Sequence, residues 1–236
     1  MSWDQFELPW EIQVAQSDKT IGHATLEQTE EAIVVKGEGF AYTFTPDGLL
    51  YSMKQGEEEL LKAPLQFNVW RAPLAVEVDS WSQGNITYNN RKAWNGSQIA
   101  NEYYSNNIDE ITRMPISCEA FEADGQVYIN VRSFAQFGPA VNTSLDAYIF
   151  GMRYIGYSEI YEYRINGDGS IAIHHTLEPE GSMPELLPRI GLTMTLNEQM
   201  QQVKWYGRGP EENYPDRKTG YPVGIYENNV DGMFEP

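Results

Sequence analysis

The dipeptide Asp-Gly occurs four times in this chain, at Asp47-Gly48, Asp124-Gly125, Asp168-Gly169 and Asp231-Gly232. Between segments of alternating hydrophobicity it is a strong short-range signal for a β-hairpin, because the tight turn needs positive φ. The first three have such flanks. Phe40, Tyr42 and Phe44 alternate before the first, and Val127, Ile129 and Val131 after the second. Before the third, Tyr161, Tyr163 and Ile165 share one parity while Glu162 and Arg164 take the other. Ile171, Ile173, His175 and Leu177 share a parity after it, and Leu192, Met194 and Leu196 alternate again. Period-two patterning punctuated by turns predicts an all-β chain. Helical signals are poor: the best, Glu57 to Lys62, is short and runs into Pro64. Ser80 to Ile108 is rich in Asn, Ser and Tyr and lacks a clear period, so a long excursion with one helical turn is expected there. Phe6 to Val14 reads as a strand end interrupted by Pro9.

At 236 residues the chain is long enough for one large all-β domain with a substantial core. Its 16 basic and 34 acidic residues leave a net charge of −18, which argues against nucleic acid or an anionic membrane as partner. A neutral ligand such as a sugar fits better. No apolar run is long enough to span a bilayer, and the polar, aromatic N-terminus lacks a signal-peptide pattern. The single cysteine, Cys118, has no basic neighbour in sequence to activate it, and no His/Cys cluster suggests zinc. No metal site or cofactor is expected in this segment.

The densest stretch is Trp205-Tyr206-Gly207-Arg208-Gly209-Pro210-Glu211-Glu212-Asn213-Tyr214-Pro215-Asp216-Arg217. Neither helical nor strand periodicity fits it. Two glycines and two prolines predict a rigid, shaped loop leaving a strand over Gln202 to Tyr206. Glu211, Glu212 and Asp216 invite a glycosidase reading, but hydrolysis needs two carboxyl groups about 5–10 Å apart across the scissile bond. Three acids in six residues do not establish that geometry. Arg208 and Arg217 are better placed as their partners in a loop-locking network. Trp81, Trp94, Tyr103 and Tyr104 offer rings on which a sugar can stack, with core packing or interdomain contact as the simpler role. Trp70-Arg71-Ala72-Pro73 ends a strand, and Arg71 is expected to pair with a carboxylate.

The loop resembles the W-x-G-x-G-P-x-E-N-Y-P-D-R motif in the C-terminal, small-chain domain of large β-galactosidases of glycoside hydrolase family 2. Asn68-Val69-Trp70-Arg71-Ala72-Pro73 and Leu187-Pro188-Arg189-Ile190-Gly191 are similar to two further segments of that family. Ser2-Trp3-Asp4-Gln5-Phe6 looks like the end of the immunoglobulin-like domain that precedes it. The resemblance implies an antiparallel supersandwich of the galactose mutarotase-like type over residues 17–236, after a remnant and linker over 1–16. Leu74 to Asp79 departs from the acidic, Asn-containing turn that follows the tryptophan segment in the family.

The resemblance also implies a role. The parent enzyme hydrolyses terminal β-galactosides with retention, using two carboxylates in a barrel domain whose motifs are absent here. Its Mg and Na ions belong to that barrel. No catalytic residue is therefore carried over. The segment would pack on the other domains of the same polypeptide and shape one wall of the galactoside site. Trp81, Trp94, His174, Arg208, Glu212, Asn213 and Tyr214 are the candidates for sugar or interdomain contact. Arg71, Arg189, Asp216 and Arg217 are the candidates for structuring loops. The mutarotase likeness adds a histidine acid and a glutamate base on an open sheet face. His174 and His175 point to opposite faces of their strand, with no glutamate assignable. The family runs on beyond a stretch similar to Met233-Phe234-Glu235-Pro236, so the chain is expected to be a C-terminally truncated excerpt whose exposed strand edges favour a homo-oligomer. An independent carbohydrate-binding module and an aldose epimerase stay open as alternatives. The compartment stays open between bacterial cytoplasm and periplasm.

Overall fold

A computed structural model of the protein describes residues 5, 22–74, 77, 85–88, 91–94, 98–138, 155–211, 213 and 218–233, with the backbone alone for 85–88, 91–94 and 98. The strand expected over Phe6 to Val14 lies outside these. The chain divides into two units, one of residues 20–195 and one joining 1–19 to 196–236.

The larger unit is built from antiparallel hairpins. Strands β1 (Thr25–Gln28), β2 (Ile33–Gly37), β3 (Phe40–Phe44), β4 (Leu50–Gln55) and β5 (Glu58–Glu59) form one sheet in sequence order. Strands β9 (Ile111–Ala123), β10 (Gln126–Phe137), β11 (Gly156–Ile165) and β12 (Ile171–Glu180) form a second, ordered β12-β11-β10-β9. The three Asp-Gly turns join β3 to β4, β9 to β10 and β11 to β12. At the second, Asp124 and Gly125 have φ of 52° and 74°, the double positive φ that a two-residue hairpin turn requires. The fourth Asp-Gly lies in a single 3₁₀ turn, Asp231–Met233, and joins no hairpin.

Alternation decides where the core lies. Ile33, Val35, Phe40, Tyr42, Phe44 and Leu50 of the first sheet pack against Val127, Ile129, Val131, Tyr161, Tyr163 and Ile165 of the second. Phe44 meets Tyr163 edge-on, with ring centroids 5.1 Å apart. The result is the all-β antiparallel sandwich that the period-two pattern predicts. A second cluster gathers Phe67, Val69, Tyr103, Ile108, Ala135, Phe137 and Tyr157.

Two stretches depart from expectation. The helix weighed over Glu57 to Lys62 does not form: Glu58–Glu59 is β5, and Leu61–Asn68 is β6, which carries Pro64 within it. Leu61, Leu65 and Phe67 are buried, so burial of one face wins over weak helical propensity. Strand β6 pairs with β13 (Gly191–Leu196), more than 120 residues later. The excursion after Ser80 is more regular than expected. It contains a hairpin, β7 (Asn85–Tyr88) with β8 (Arg91–Trp94), and a two-turn helix α1 (Gln98–Ser105) that buries Tyr103.

The smaller unit is a hairpin of β14 (Gln202–Arg208) and β15 (Val223–Asn229), with a 3₁₀ turn, Lys218–Gly220, between them. Cross-strand neighbours Trp205 and Tyr226 meet on one face with ring centroids 5.5 Å apart and planes tilted by 33°. The neighbouring pair, Tyr206 and Ile225, faces the other way, with Tyr206 79% exposed.

Candidate functional site

The Gly- and Pro-rich loop leaves the end of β14, two residues later than expected. Gly209 sits where a side chain has no room: a Cβ there would come within 2.8 Å of the Tyr226 ring and 3.1 Å of Trp205. The carbonyl of Arg208 accepts from the Trp205 indole at 3.1 Å and from Asn213 Nδ2 at 3.4 Å. Among the described residues Arg208 bonds carbonyl oxygens. Its Nη1 donates to the carbonyls of Lys218, at 2.7 Å, and Tyr221, at 2.9 Å. Tyr221 donates its hydroxyl to Glu211 at 3.2 Å. Arg208 thus ties the two ends of the loop together through backbone, a geometry suited to a fork of donors. An open cleft beside the hairpin is lined by Trp205, Arg208, Glu211, Asn213 and Asn228. Glu212, Tyr214, Asp216 and Arg217 lie outside the described residues.

In the larger unit, Arg71 finds its carboxylate six residues on. Its Nη1 and Nη2 donate to the two oxygens of Glu77 at 2.7 and 2.9 Å. Glu77 also accepts from the Leu74 amide at 2.7 Å and the Tyr103 hydroxyl at 3.1 Å. The hydrogen bond from Arg71, ahead of the other contacts, holds the Glu77 carboxyl below its ordinary value against the opposing effect of burial. Burial first, then the bond to Glu77, pushes the Tyr103 phenol up to about 12. This network clamps the end of the Asn68–Pro73 segment onto helix α1.

A second carboxyl is enclosed more completely. Glu159 on β11 is 2% exposed and shares the inward face with Tyr161 and Tyr163. Its Oε2 accepts from Ser133 at 3.0 Å; its Oε1 accepts from Tyr161 at 3.0 Å and lies 3.2 Å from His175 Nε2. The His175 ring stacks on Tyr161 at 4.0 Å and meets Phe67 edge-on at 5.8 Å. Burial, and then the charge of Glu159, raises the Tyr161 phenol above its ordinary value. Sequence reading left the glutamate unassigned, yet the parity of Tyr161, Tyr163 and Ile165 already put residue 159 on the apolar face. A carboxyl in that position was the legible signal.

The other candidates are scattered. His174 is exposed on the opposite face from His175, across from Glu162 in the β11–β12 register. Arg189 is exposed and lines a shallow surface depression with Asn68 and residues of β13. The backbone of Trp94 ends β8, but its side chain lies outside the described residues, as does Trp81. Among the described residues no group of three or more His, Cys, Asp or Glu side chains is placed to hold a metal ion. Nor is any helix among them long and apolar enough to cross a membrane.

The larger unit is thus an antiparallel β-sandwich, and the smaller is a hairpin whose strands are joined through a glycine- and proline-shaped polar loop. The family model of the beta galactosidase small chain matches residues 36–236, and the chain belongs to that family. It is 27% identical over 238 residues to a beta-galactosidase of Priestia megaterium, covering all of this chain and 20% of the relative. A beta-galactosidase of Pseudoalteromonas haloplanktis is 26% identical over 214 residues, covering 90% of this chain and 18% of the relative. One of Vibrio cholerae is 28% identical over 194 residues, or 80% and 16%. The chain spans about a fifth of the length of these curated relatives.

Proposed function

We propose that this chain serves as a non-catalytic domain of a β-galactosidase acting on terminal β-galactosides, packing on the catalytic domain and shaping the sugar site. The observation that carries the reading is the family match over 36–236 in a chain a fifth the length of its relatives. The chemistry of the described residues supports it. The enclosed carboxyl, Glu159, is committed to Ser133, Tyr161 and His175. Glu211, the described carboxyl of the polar loop, is held by Tyr221. Both carboxyls are engaged by hydroxyl donors of their own unit.

The 236-residue chain is therefore expected to release no nitrophenol from a chromogenic β-galactoside. Turnover that survives purification and disappears on Glu212→Gln would overturn the proposal. Isothermal titration with galactose or lactose is expected to give a dissociation constant in the millimolar range or weaker, since one wall of a pocket supplies only part of the binding energy.

An independent carbohydrate-binding module is the second reading, favoured by the cleft in which Trp205 sits beside Glu211, Asn213 and Asn228. A micromolar constant lost on Trp205→Ala or Asn228→Ala would support it. An aldose epimerase needs its histidine acid and glutamate base to act separately on the sugar, whereas His175 Nε2 lies 3.2 Å from Glu159 Oε1. Polarimetry with His174→Ala and His175→Ala as controls tests that reading directly.

A further inference from the structure

The sandwich of the larger unit is not filled solid. Between the Gly48–Leu49 turn, β6 and the inward face of the second sheet lies a cavity of about 170 Å³. Leu65, Phe67, Tyr161 and Tyr163 contribute its rings and apolar wall, while Gln66, Arg113 and Glu159 contribute polar groups. Glu159 is its most enclosed ionisable group. Arg113 is the more exposed, at 22% of its side chain, and is tied to the Asp47 carboxylate and, at 2.6 Å, to the Asp47 carbonyl.

Arg113 faces inward because of a backbone irregularity. Along β9 the register with β10 slips at one point: Ser117 opposes Arg132, but Pro115 opposes Ser133, leaving Ile116 as an extra residue. Cys118 and Ala120, before the slip as read from β10, oppose inward-facing Val131 and Ile129. Without the bulge Met114 would continue that parity. With it, Arg113 opposes buried Ala135 and takes the inward position. Bulges re-aim side chains in this way and concentrate beside functional sites.

We propose that this cavity binds a small neutral polyhydroxylated molecule, of monosaccharide size or smaller, between Arg113 and Glu159. The volume falls below the range of roughly 300–1,000 Å³ typical for drug-sized ligands. A carboxylate offers about four acceptor positions and a guanidinium five donor hydrogens. Among the described residues, three positions on Glu159 and two donor groups on Arg113 are engaged. A hydroxylated ligand can donate to the former and accept from the latter. A cation would meet Arg113 and an anion would meet Glu159, so neither suits both ends. The Tyr161, Tyr163 and Phe67 rings provide surfaces for C–H groups.

The test is saturation-transfer NMR on the whole chain with galactose, glycerol and myo-inositol, together with ring shifts in tyrosine-labelled protein. Transfer to at least one probe is expected in the millimolar range, with shifts at Tyr161 and Tyr163. Glu159→Gln keeps the shape of the side chain and is expected to weaken binding about tenfold, as is Arg113→Gln. If either variant fails to fold, the ring shifts of the unaltered chain still decide. Absence of transfer and of ring shifts with all three probes overturns the proposal. So does binding that leaves Tyr161 and Tyr163 unmoved, or that persists unchanged in both folded variants. Hydrolysis of a chromogenic galactoside reads the role proposed above independently of either result.

Discussion

Arg71→Ala is expected to destabilise the larger unit by roughly 2–4 kcal/mol, the cost of stranding a largely enclosed carboxylate. Glu77 would lose a bidentate partner while remaining 12% exposed, with the Leu74 amide and the Tyr103 hydroxyl still donating to it. That is a large share of a typical domain's 5–15 kcal/mol. Thermal unfolding of Arg71→Ala, Arg71→Lys and the parent measures it. Lysine retains the charge but not the fork, so it should recover only part of the loss. A melting curve unchanged in Arg71→Ala would show that the pair contributes nothing.

The same network makes stability depend on pH at both ends. Glu77 has a folded pKa below that of the unfolded chain, so its contribution is complete above the ordinary glutamate value of about 4.3 and is lost as pH falls through the folded value. Tyr103 is shifted the other way. Its contribution is complete below the ordinary tyrosine value of about 10 and is lost as pH rises toward about 12. Arg71→Ala should flatten the acid limb, because the bond that depresses Glu77 is gone.

Phe44→Ala is expected to cost about 3–5 kcal/mol, through lost transfer energy and the cavity left behind. Phe44 is fully buried at the junction of the two sheets, against Tyr163. Neighbouring Phe40 and Tyr42 belong to the same cluster, and their ladder partners hold the backbone in place, so collapse around the gap is limited. For a unit of this size the loss corresponds to a fall of roughly 6–20 °C in Tm. Phe44→Leu should recover much of it, because it refills most of the volume. A fall of only a degree or two for Phe44→Ala would mean that the two sheets do not share one core.

The hairpins were the most legible part of the molecule. Asp124-Gly125 and its alternating flanks state a turn and two strands within a few residues, and nothing distant competes with them. The Gly- and Pro-rich loop was legible as a shaped loop for the same reason. The expectation for Arg71 also held, since its partner Glu77 lies close by in sequence. Among the described residues Arg208 bonds carbonyls, and which acceptors meet a guanidinium depends on where the chain returns, at Lys218 and Tyr221.

The sequence alone thus determined the all-β class, the three hairpin turns and, through the parity of Tyr161, Tyr163 and Ile165, which face of β11 is apolar. These follow from steric limits on φ and from a side-chain period of two, both of which act over a few residues. Tertiary structure decided what lies far apart in sequence. It made a strand of Leu61 to Asn68 by pairing β6 with β13 and burying Leu65 and Phe67. It brought Ser133 and His175 to Glu159. It inserted Ile116 as a bulge, so that Arg113 faces inward where simple alternation would have placed Met114. Burial and long-range pairing supply more free energy than local preference at such positions, and neither is written in the neighbouring residues.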